Sequence, residues 1–228
     1  MSTAAPVEGE RPSGPRSRKG ALTRGRLLDA AKHVFERDGY LEARVTDIAE
    51  RAGVSHGSFY HYFESKEEIF REVAEAQQER LSSLSVADSG LLDTTSHAPM
   101  RHRIRESSRA YLEGYRDEAR IMGVIEQVSR YDEEVSAARF AREVHYTRQT
   151  ESAIQRLQQQ GLADSSLDPR IAACALSAMV TRFAEMWFVQ RQFDCEFESG
   201  VDQITTLCVN ALQLKDRFRE PLPLSRST

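Results

Sequence analysis

The chain has 228 residues, of which 40% are hydrophobic and 29% are charged, and its formal net charge is −4. This length is enough for one large domain or two small ones, and the composition is typical of a soluble globular protein. We find no apolar run of the length that a membrane span needs, and the N-terminus lacks the apolar core of a secretory signal. We therefore expect a cytoplasmic protein without a membrane partner.

Sequence motifs of enzymes and metal proteins are missing from the chain. The three cysteines, Cys174, Cys195 and Cys208, lie far apart without a Cys-x-x-Cys pair, so we expect reduced, partly buried thiols. The six histidines also lie apart, and neither a glycine-rich nucleotide loop nor an HExxH or GxSxG motif occurs. The sequence therefore predicts a protein that is not an enzyme and that needs no metal or cofactor.

Charge is distributed unevenly along the chain. Residues 11–66 contain 11 basic and 7 acidic side chains, a local charge of +4, whereas residues 67–228 carry a net charge of −6. A cationic first part on an acidic body suits a protein that contacts phosphate with one region only. Residues 1–20 are rich in Pro, Gly, Ser and Arg and are predicted to be a disordered basic arm, which could equally serve only solubility.

Helix signals follow one another closely in the first third of the chain. The apolar spacing predicts a first helix over about residues 23–37, which ends at Asp38-Gly39. Thr46 is predicted to cap a second, short helix that stops at Gly53, and Ser55 to cap a third that runs to about residue 63. A capping box at Ser65-Lys66-Glu67-Glu68 then opens a long fourth helix to about residue 84.

Five further helices are predicted after a loop at residues 85–98. They span about 99–117, 119–130, 133–160, 169–192 and 198–218, and a short tail occupies 219–228. Since no segment alternates with period two, we predict an all-α fold of about nine helices. It would comprise a three-helix, helix-turn-helix domain at residues 21–67 and a larger C-terminal helical domain at 68–218.

The stretch VTDIAERAGVSHGSFYHYFESKEEIF, residues 45–70, is the most informative part of the sequence. Two short helices flank Ala52-Gly53-Val54, a turn that needs glycine. The second of these helices is expected to expose small or hydrogen-bonding residues, namely Ser55, His56, Gly57, Ser58, Tyr60 and His61. Such residues at the start of a helix can bond to phosphates and base edges. The pattern therefore predicts a helix-turn-helix whose recognition helix begins at Ser55.

This stretch resembles the tetracycline-repressor (TetR) family of regulators. The family's pattern is found at Thr46, Ile48-Ala49, Ala52-Gly53-Val54-Ser55, Gly57, Tyr60, Tyr62-Phe63 and Lys66-Glu67. The preceding TRGRLLDAAKHVFERDGY is similar to the family's first helix, and Tyr62 departs from the pattern because histidine is commoner there. The resemblance covers about residues 22–70.

The resemblance implies a role for individual residues at double-stranded DNA. Thr46, Tyr60 and Lys66 would bind phosphate. Each has an alternative role: Thr46 could only cap a helix, Tyr60 could only pack, and Lys66 could be a solvated cap residue. The residues implied at the major groove are Ser55, His56, Ser58 and His61. Gly57 would let the backbone approach the DNA, and Arg24 and the basic arm would reach phosphate or the minor groove.

The C-terminal domain is expected to dimerise and to bind a ligand. The helices at about 169–192 and 198–218 carry apolar stripes that could form a four-helix bundle across a two-fold axis, as in the resembling family, or could be buried within one subunit. A homodimer would space two recognition helices by roughly one DNA turn over a palindrome. The resemblance also implies an effector cavity, with the candidates Tyr111, Tyr115, Met122, Ile125, Tyr131, His145, Tyr146 and Trp187.

The sequence thus predicts a homodimeric transcriptional repressor that a small apolar or amphipathic ligand, such as a fatty acyl compound, releases from a palindromic operator. Two alternatives stay open at this point. The protein could activate transcription, or it could bind DNA without a small-molecule ligand.

Overall fold

The computed structural model describes residues 18–83 and 98–215, and all of the regular secondary structure within them is helical. The α-helices of the described residues are α1 (Arg18–Glu42), α2 (Val45–Arg51), α3 (His56–Phe59), α4 (Lys66–Ser83), α5 (Met100–Asp117), α6 (Ala119–Val128), α7 (Glu133–Gln159), α8 (Pro169–Ala184) and α9 (Phe197–Ala211). A π-helical segment, Glu185–Val189, continues α8. The all-α prediction is confirmed, while most of the basic arm, nearly all of the 85–98 loop and the C-terminal tail lie outside the described residues.

The chain divides into two compact units, Met1–Val73 and Ala74–Thr228, with the boundary inside α4. We call them the first unit and the second unit. This boundary falls a few residues after the predicted end of the helix-turn-helix domain at residue 67.

The first unit is built on α1, which is longer than predicted. It starts at Arg18 and is interrupted at Gly39, whose φ of 75° and ψ of 172° are not helical. The predicted apolar stripe from Leu27 to Phe35 is buried. Phe35 packs edge-on against Phe70, with 4.9 Å between ring centroids, and Tyr40 packs against the same ring at 4.8 Å. These aromatic contacts join α1 to the first turns of α4 in one core.

In the second unit, α5 packs along α9 and α7 packs along α8. Ion pairs reinforce the first of these contacts, since Arg105 lies 2.6 Å from Glu198 and Arg109 lies 3.0 Å from it. Hydrogen bonds from the two guanidinium groups lower the pKa of the Glu198 carboxyl. The side chains of this network are partly exposed, so its contribution to stability is modest.

The last two helices differ from their predicted spans. The span predicted at 169–192 is α8 followed by the π-helical segment, and α9 ends at Ala211 rather than near 218 because Gln213 adopts a left-handed φ of 47°. By length and composition, Pro169–Val189 could cross a membrane, contrary to our expectation from the sequence, and 28% of its most apolar window is buried. A core helix of a soluble protein can share this composition.

Candidate nucleic-acid interface

The turn between α2 and α3 is held by backbone hydrogen bonds and one glycine. The amide of Ala52 donates to the carbonyl of Ile48 at 2.9 Å, and that of Val54 donates to the carbonyl of Ala49 at 3.0 Å. Gly53 between them has a φ of 68°, which residues with a Cβ rarely adopt. The predicted requirement for glycine at this turn is therefore explained by its backbone.

Helix α3 is a single turn that Ser55 caps as predicted. The Ser55 hydroxyl oxygen accepts a hydrogen bond from the backbone N–H of Ser58 at 3.1 Å, and the two side-chain oxygens lie 2.7 Å apart. The helix is shorter than predicted because it ends at Phe59. Phe59 and Phe63 are fully buried beneath it, so the position of α3 is fixed by the core of the first unit.

Small and polar residues cover the outer side of α3. This surface, which we call the α3 surface, comprises Ser55, His56, Gly57, Ser58, Tyr60 and His61, all exposed except the half-buried Ser58. The rings of His56 and Tyr60 meet edge to face at 5.2 Å. A Cβ added to Gly57 would meet no atom within 4 Å, so packing within the described residues does not require glycine there. The space above Gly57 is open to another molecule.

Thr46 is not the helix cap that we predicted. Arg44 occupies the N-cap position of α2, and its side chain makes no capping bond. The exposed Thr46 hydroxyl instead donates to the carboxylate of Asp47 at 3.2 Å. Arg24, another predicted contact, forms an ion pair with Glu72 and lies 4.8 Å above the Phe63 ring. Its guanidinium is thus already used within the first unit.

Lys66 serves the end of α1. Its ammonium donates to the carbonyl oxygens of Tyr40, Leu41 and Ala43 at 2.9, 3.3 and 3.1 Å. It also lies 4.7 Å from the centre of the Tyr40 ring. An ammonium has three N–H donors, and all three are engaged here. The implied phosphate contact of Lys66 therefore competes with a structural role that the sequence did not reveal.

Two cations beside the turn were absent from our predicted contacts. Arg44 and Arg51 are exposed at opposite ends of α2, and neither pairs with an acidic group among the described residues. Their signal in the sequence was only the positive charge of the region. Their positions at the two ends of α2 became clear only from the bounds of that helix.

A narrow cavity lies in the second unit among α5, α7, α8 and α9. It measures about 60 Å³, and its walls are mostly apolar, with Ile104, Ile154 and Leu176 among them. A wider recess of about 110 Å³ shares Tyr111, Tyr146 and Ser177 with it. The two cavities adjoin at these shared residues, and we call them together the effector pocket, after the ligand that is expected from the sequence.

Polar groups occur at both ends of the effector pocket. The hydroxyl oxygens of Ser107 and Ser177 are buried without a hydrogen-bond partner among the described residues. Arg139 and Glu143 line the wider end. Burial raises the pKa of Tyr111 and Tyr115 above the ordinary value of a phenol.

The structure brings together only half of the predicted ligand residues. Those that line the pocket are Tyr111, Tyr115, Met122 and Tyr146. Ile125 is sealed in the core, whereas Tyr131 and His145 are exposed, and Trp187 lines a different groove. Arg139, Glu143 and Thr150 also line the pocket, and none of them was among the predicted residues. Their spacing with Tyr146 on α7 places them on one helix face, which would have revealed them.

The thiols differ in exposure more than predicted. Cys174 is exposed on α8, while Cys195 and Cys208 are partly buried, and all three are free. Burial raises the pKa of Cys208 to about 11. No group of three or more His, Cys, Asp or Glu residues that could hold a metal occurs in the described part of the chain.

Comparisons with known proteins connect the first unit to a family of regulators. Residues 27–73 match the family model for bacterial regulatory proteins of the tetR family. The chain is 35% identical over 118 residues to the transcriptional activator FasR of Mycolicibacterium smegmatis, covering 50% of this chain and 52% of FasR. It is 35% identical over 66 residues to the transcriptional repressor AcnR of Corynebacterium jeikeium, covering 29% of this chain and 34% of AcnR.

A solved structure extends the similarity to both units. The transcriptional regulator FadR from Bacillus subtilis, in complex with stearoyl-CoA, matches with a TM-score of 0.66 at 17% identity, over 82% of this chain and 98% of FadR. At this identity the match shows a shared fold. By sequence, the matches span about a quarter to half of the length of the first curated relatives.

Proposed function

Since the chain belongs through its N-terminal domain to the tetR family of bacterial regulatory proteins, we propose that it is a transcriptional regulator that reads double-stranded DNA with the α3 surface. The observation that carries this proposal is the α3 surface itself. Its polar groups stand outward over fully buried Phe59 and Phe63, and the space above Gly57 is open. Side chains so presented can enter a major groove and bond to base edges.

Phosphate contacts come from the exposed cations beside the turn. The guanidinium groups of Arg44 and Arg51 have no acidic partner among the described residues, and Thr46 and Tyr60 add exposed hydroxyls. These contacts position the domain without selecting a sequence. Lys66 supports them indirectly by holding the end of α1.

The test of base contact is a selection of binding sites from random duplexes, carried out with the wild type, His56→Ala and His33→Ala. His33 is an exposed histidine on α1, outside the α3 surface, so it controls for loss of a histidine in general. We expect His33→Ala to select the wild-type site and His56→Ala to select a changed one at one or two positions. Identical sites from all three proteins would contradict a base contact by His56.

We also propose that the protein is a homodimer formed by α8 and α9. Ile171 is 70% exposed and Leu207 is 51% exposed, and Cys174, Ala175 and Ala178 lie on the same face of α8 as Ile171. A second copy would cover this apolar face. Part of the predicted stripe does not contribute, because Val201, Ile204 and Leu212 are buried within the subunit.

Labelling of Cys174 with a maleimide tests the dimer directly. Burial raises the pKa of Cys195 and Cys208, which slows their reaction, and peptide mapping of the labelled protein reads Cys174 separately. We expect Ile171→Glu to sediment as a monomer and to label at Cys174 faster than the wild type. The proposal fails if the wild type is a monomer, or if its Cys174 labels as fast as that of the variant.

The effector in this proposal is an amphipathic anion that enters the effector pocket. The apolar end of the pocket suits a hydrocarbon chain, and Arg139 at the wider end suits an acidic head group. A cavity of about 60 Å³ is too small for a long chain, so the helices around it must move apart on binding. About 1.4 kcal/mol of preference for the opened form lowers DNA affinity tenfold. In this proposal the protein is a repressor that the ligand releases from DNA.

Thermal unfolding with added dodecanoate tests the effector. Ser177→Leu should fill the cavity, and it should abolish the stabilisation by dodecanoate that we expect for the wild type. Its unfolding temperature without ligand shows whether it is folded. Equal stabilisation of both proteins, or of neither, would contradict the pocket. Because FasR is an activator and AcnR a repressor, a reporter gene behind the selected site is needed to give the direction of regulation.

A further inference from the structure

A second concave site lies on the surface of the second unit, apart from the effector pocket. It is an open groove of about 690 Å³ that shares no lining residue with the pocket. The groove is lined by charged and aromatic side chains, among them Arg116, Arg120, Trp187, Arg191, Phe193 and Asp194. We call it the arginine groove, and its size is within the range of small-molecule sites.

Two of its three arginines are free to bind an anion. Arg116 is already engaged, since it lies 3.5 Å from the carboxylate of Asp117 and 4.3 Å from the centre of the Phe197 ring. Arg120 and Arg191 are exposed, and neither has an ion pair or a side-chain hydrogen bond to a described residue. Guanidinium groups that line one groove can bind phosphate through charge-assisted hydrogen bonds.

Stacked aromatic rings form the wall beside these arginines. The Trp187 ring lies 4.4 Å from Phe188 at an interplanar angle of 21°, and 6.1 Å from Phe193 at 22°. Trp187 is 7% exposed, whereas Phe193, which also packs on Phe183 at 5.4 Å, is 36% exposed. A planar ring from a ligand can therefore extend the stack at Phe193. Asp194, exposed next to it, offers carboxylate oxygens that accept hydrogen bonds from hydroxyl groups.

The backbone around the groove holds these side chains in place. Arg191 has a φ of 50°, which costs energy for a residue other than glycine. It lies two residues after the end of the π-helical segment that carries Trp187. A Cβ added to Gly200 would lie 2.4 Å from the Trp187 ring, so the ring is seated where only glycine leaves room.

We propose that the arginine groove binds a nucleotide. Its base stacks on Phe193, its ribose hydroxyls donate to Asp194, and its phosphates bind Arg120 and Arg191. A phosphate alone would leave the aromatic wall unused, and an apolar ligand would leave both guanidinium groups without a partner. The proposal is independent of DNA binding and of the effector pocket.

The fluorescence of Trp187 tests this directly, because the chain has a single tryptophan and it lines the groove. The probe is ADP, titrated into the full-length protein with excitation at the red edge of the tryptophan band. Arg120→Gln and Arg191→Gly each remove one proposed phosphate ligand. Glycine also suits the left-handed backbone at position 191, so this variant is expected to stay folded. The matched control is Arg130→Gln, an exposed arginine that pairs only with Glu126 among the described residues.

We expect saturable quenching by ADP in the wild type and in Arg130→Gln. Each groove variant should bind ADP about tenfold more weakly or worse, as expected for the loss of a hydrogen bond between charged groups. The wild type should also bind adenosine, which lacks phosphate, more weakly than it binds ADP, by a factor of about ten or more. The proposal is overturned if ADP causes no saturable change, or if both groove variants bind it as tightly as Arg130→Gln does.

Discussion

The two units of the molecule differ in what they bury. In the first unit the buried side chains are apolar or aromatic, such as Phe35, Phe59 and Phe70. All of the buried polar or charged residues identified in the described chain lie in the second unit, including Ser107, Ser177 and Glu185. The cavities described above also belong to the second unit.

This difference matches two kinds of task. A surface that reads DNA needs its side chains fixed before binding, and a dry, fully packed core fixes them. A unit that responds to a ligand needs unfilled space and polar groups whose hydrogen bonds are still to be made. The substitutions below test whether the two interiors really differ in this way.

The largest effect is expected in the first unit's core. Phe35→Ala removes a fully buried ring that packs on Phe70 and Tyr40. It should lower the free energy of unfolding by about 3–5 kcal/mol, because the cavity cannot refill. Urea unfolding followed by circular dichroism measures this change. A loss below about 1 kcal/mol would mean that this core is loose and that the comparison is wrong.

An intermediate effect is expected at Lys66. Lys66→Met leaves three carbonyl oxygens without their donor, so stability should fall by about 1.5–3 kcal/mol. Arg51→Ala is the matched comparison, since Arg51 is exposed and pairs with no described residue. It should change stability by less than about 0.5 kcal/mol but weaken binding to any duplex, with a shallower salt dependence.

These two variants separate a structural cation from a phosphate contact. If Lys66→Met weakens DNA binding while unfolding like the wild type, the phosphate role implied by the family resemblance is right. The capping role inferred from the three carbonyl contacts would then be a minor one.

The smallest effect is expected inside the effector pocket. Ser177→Ala removes a buried hydroxyl that has no partner among the described residues, so stability should stay the same or rise by up to about 1 kcal/mol. The control is Thr205→Val, because the fully buried Thr205 hydroxyl donates to the carbonyl of Val201 at 2.7 Å. That variant should lose about 1 kcal/mol. Equal losses of stability in both variants would show that the Ser177 hydroxyl has a hydrogen-bond partner. They would contradict the unfilled, polar interior inferred for the second unit.

Short-range signals explain why the fold was predictable. The cap at Ser55, the glycine at position 53 and the apolar stripe of α1 act over a few residues, and all three are found as predicted. Helix ends were less certain, since α9 stops at a left-handed Gln213 that no residue preference signals. The prediction that Thr46 caps α2 was wrong for a related reason, because the helix begins one residue before it.

Contacts between distant residues could not be predicted. Lys66 meets carbonyl oxygens more than 20 residues away, and Arg24 meets Glu72 at a separation of 48. Trp187 carried an apolar helical pattern that suited a pocket, yet it packs on Gly200 and faces another groove. Only the packing of the helices decides which side of each one faces a cavity.

Footprinting of the intergenic DNA beside the protein's own gene tests the central claim, that the α3 surface reads a specific DNA sequence, most directly. We expect one protected palindrome whose half-sites lie about one helical turn apart, roughly 34–36 Å. Protection should be lost at high salt. Arg51→Ala should need more protein for the same footprint, and so should His56→Ala, because it loses a base contact within the site. Protection that is uniform along the duplex, or that His56→Ala leaves unchanged, would contradict the claim.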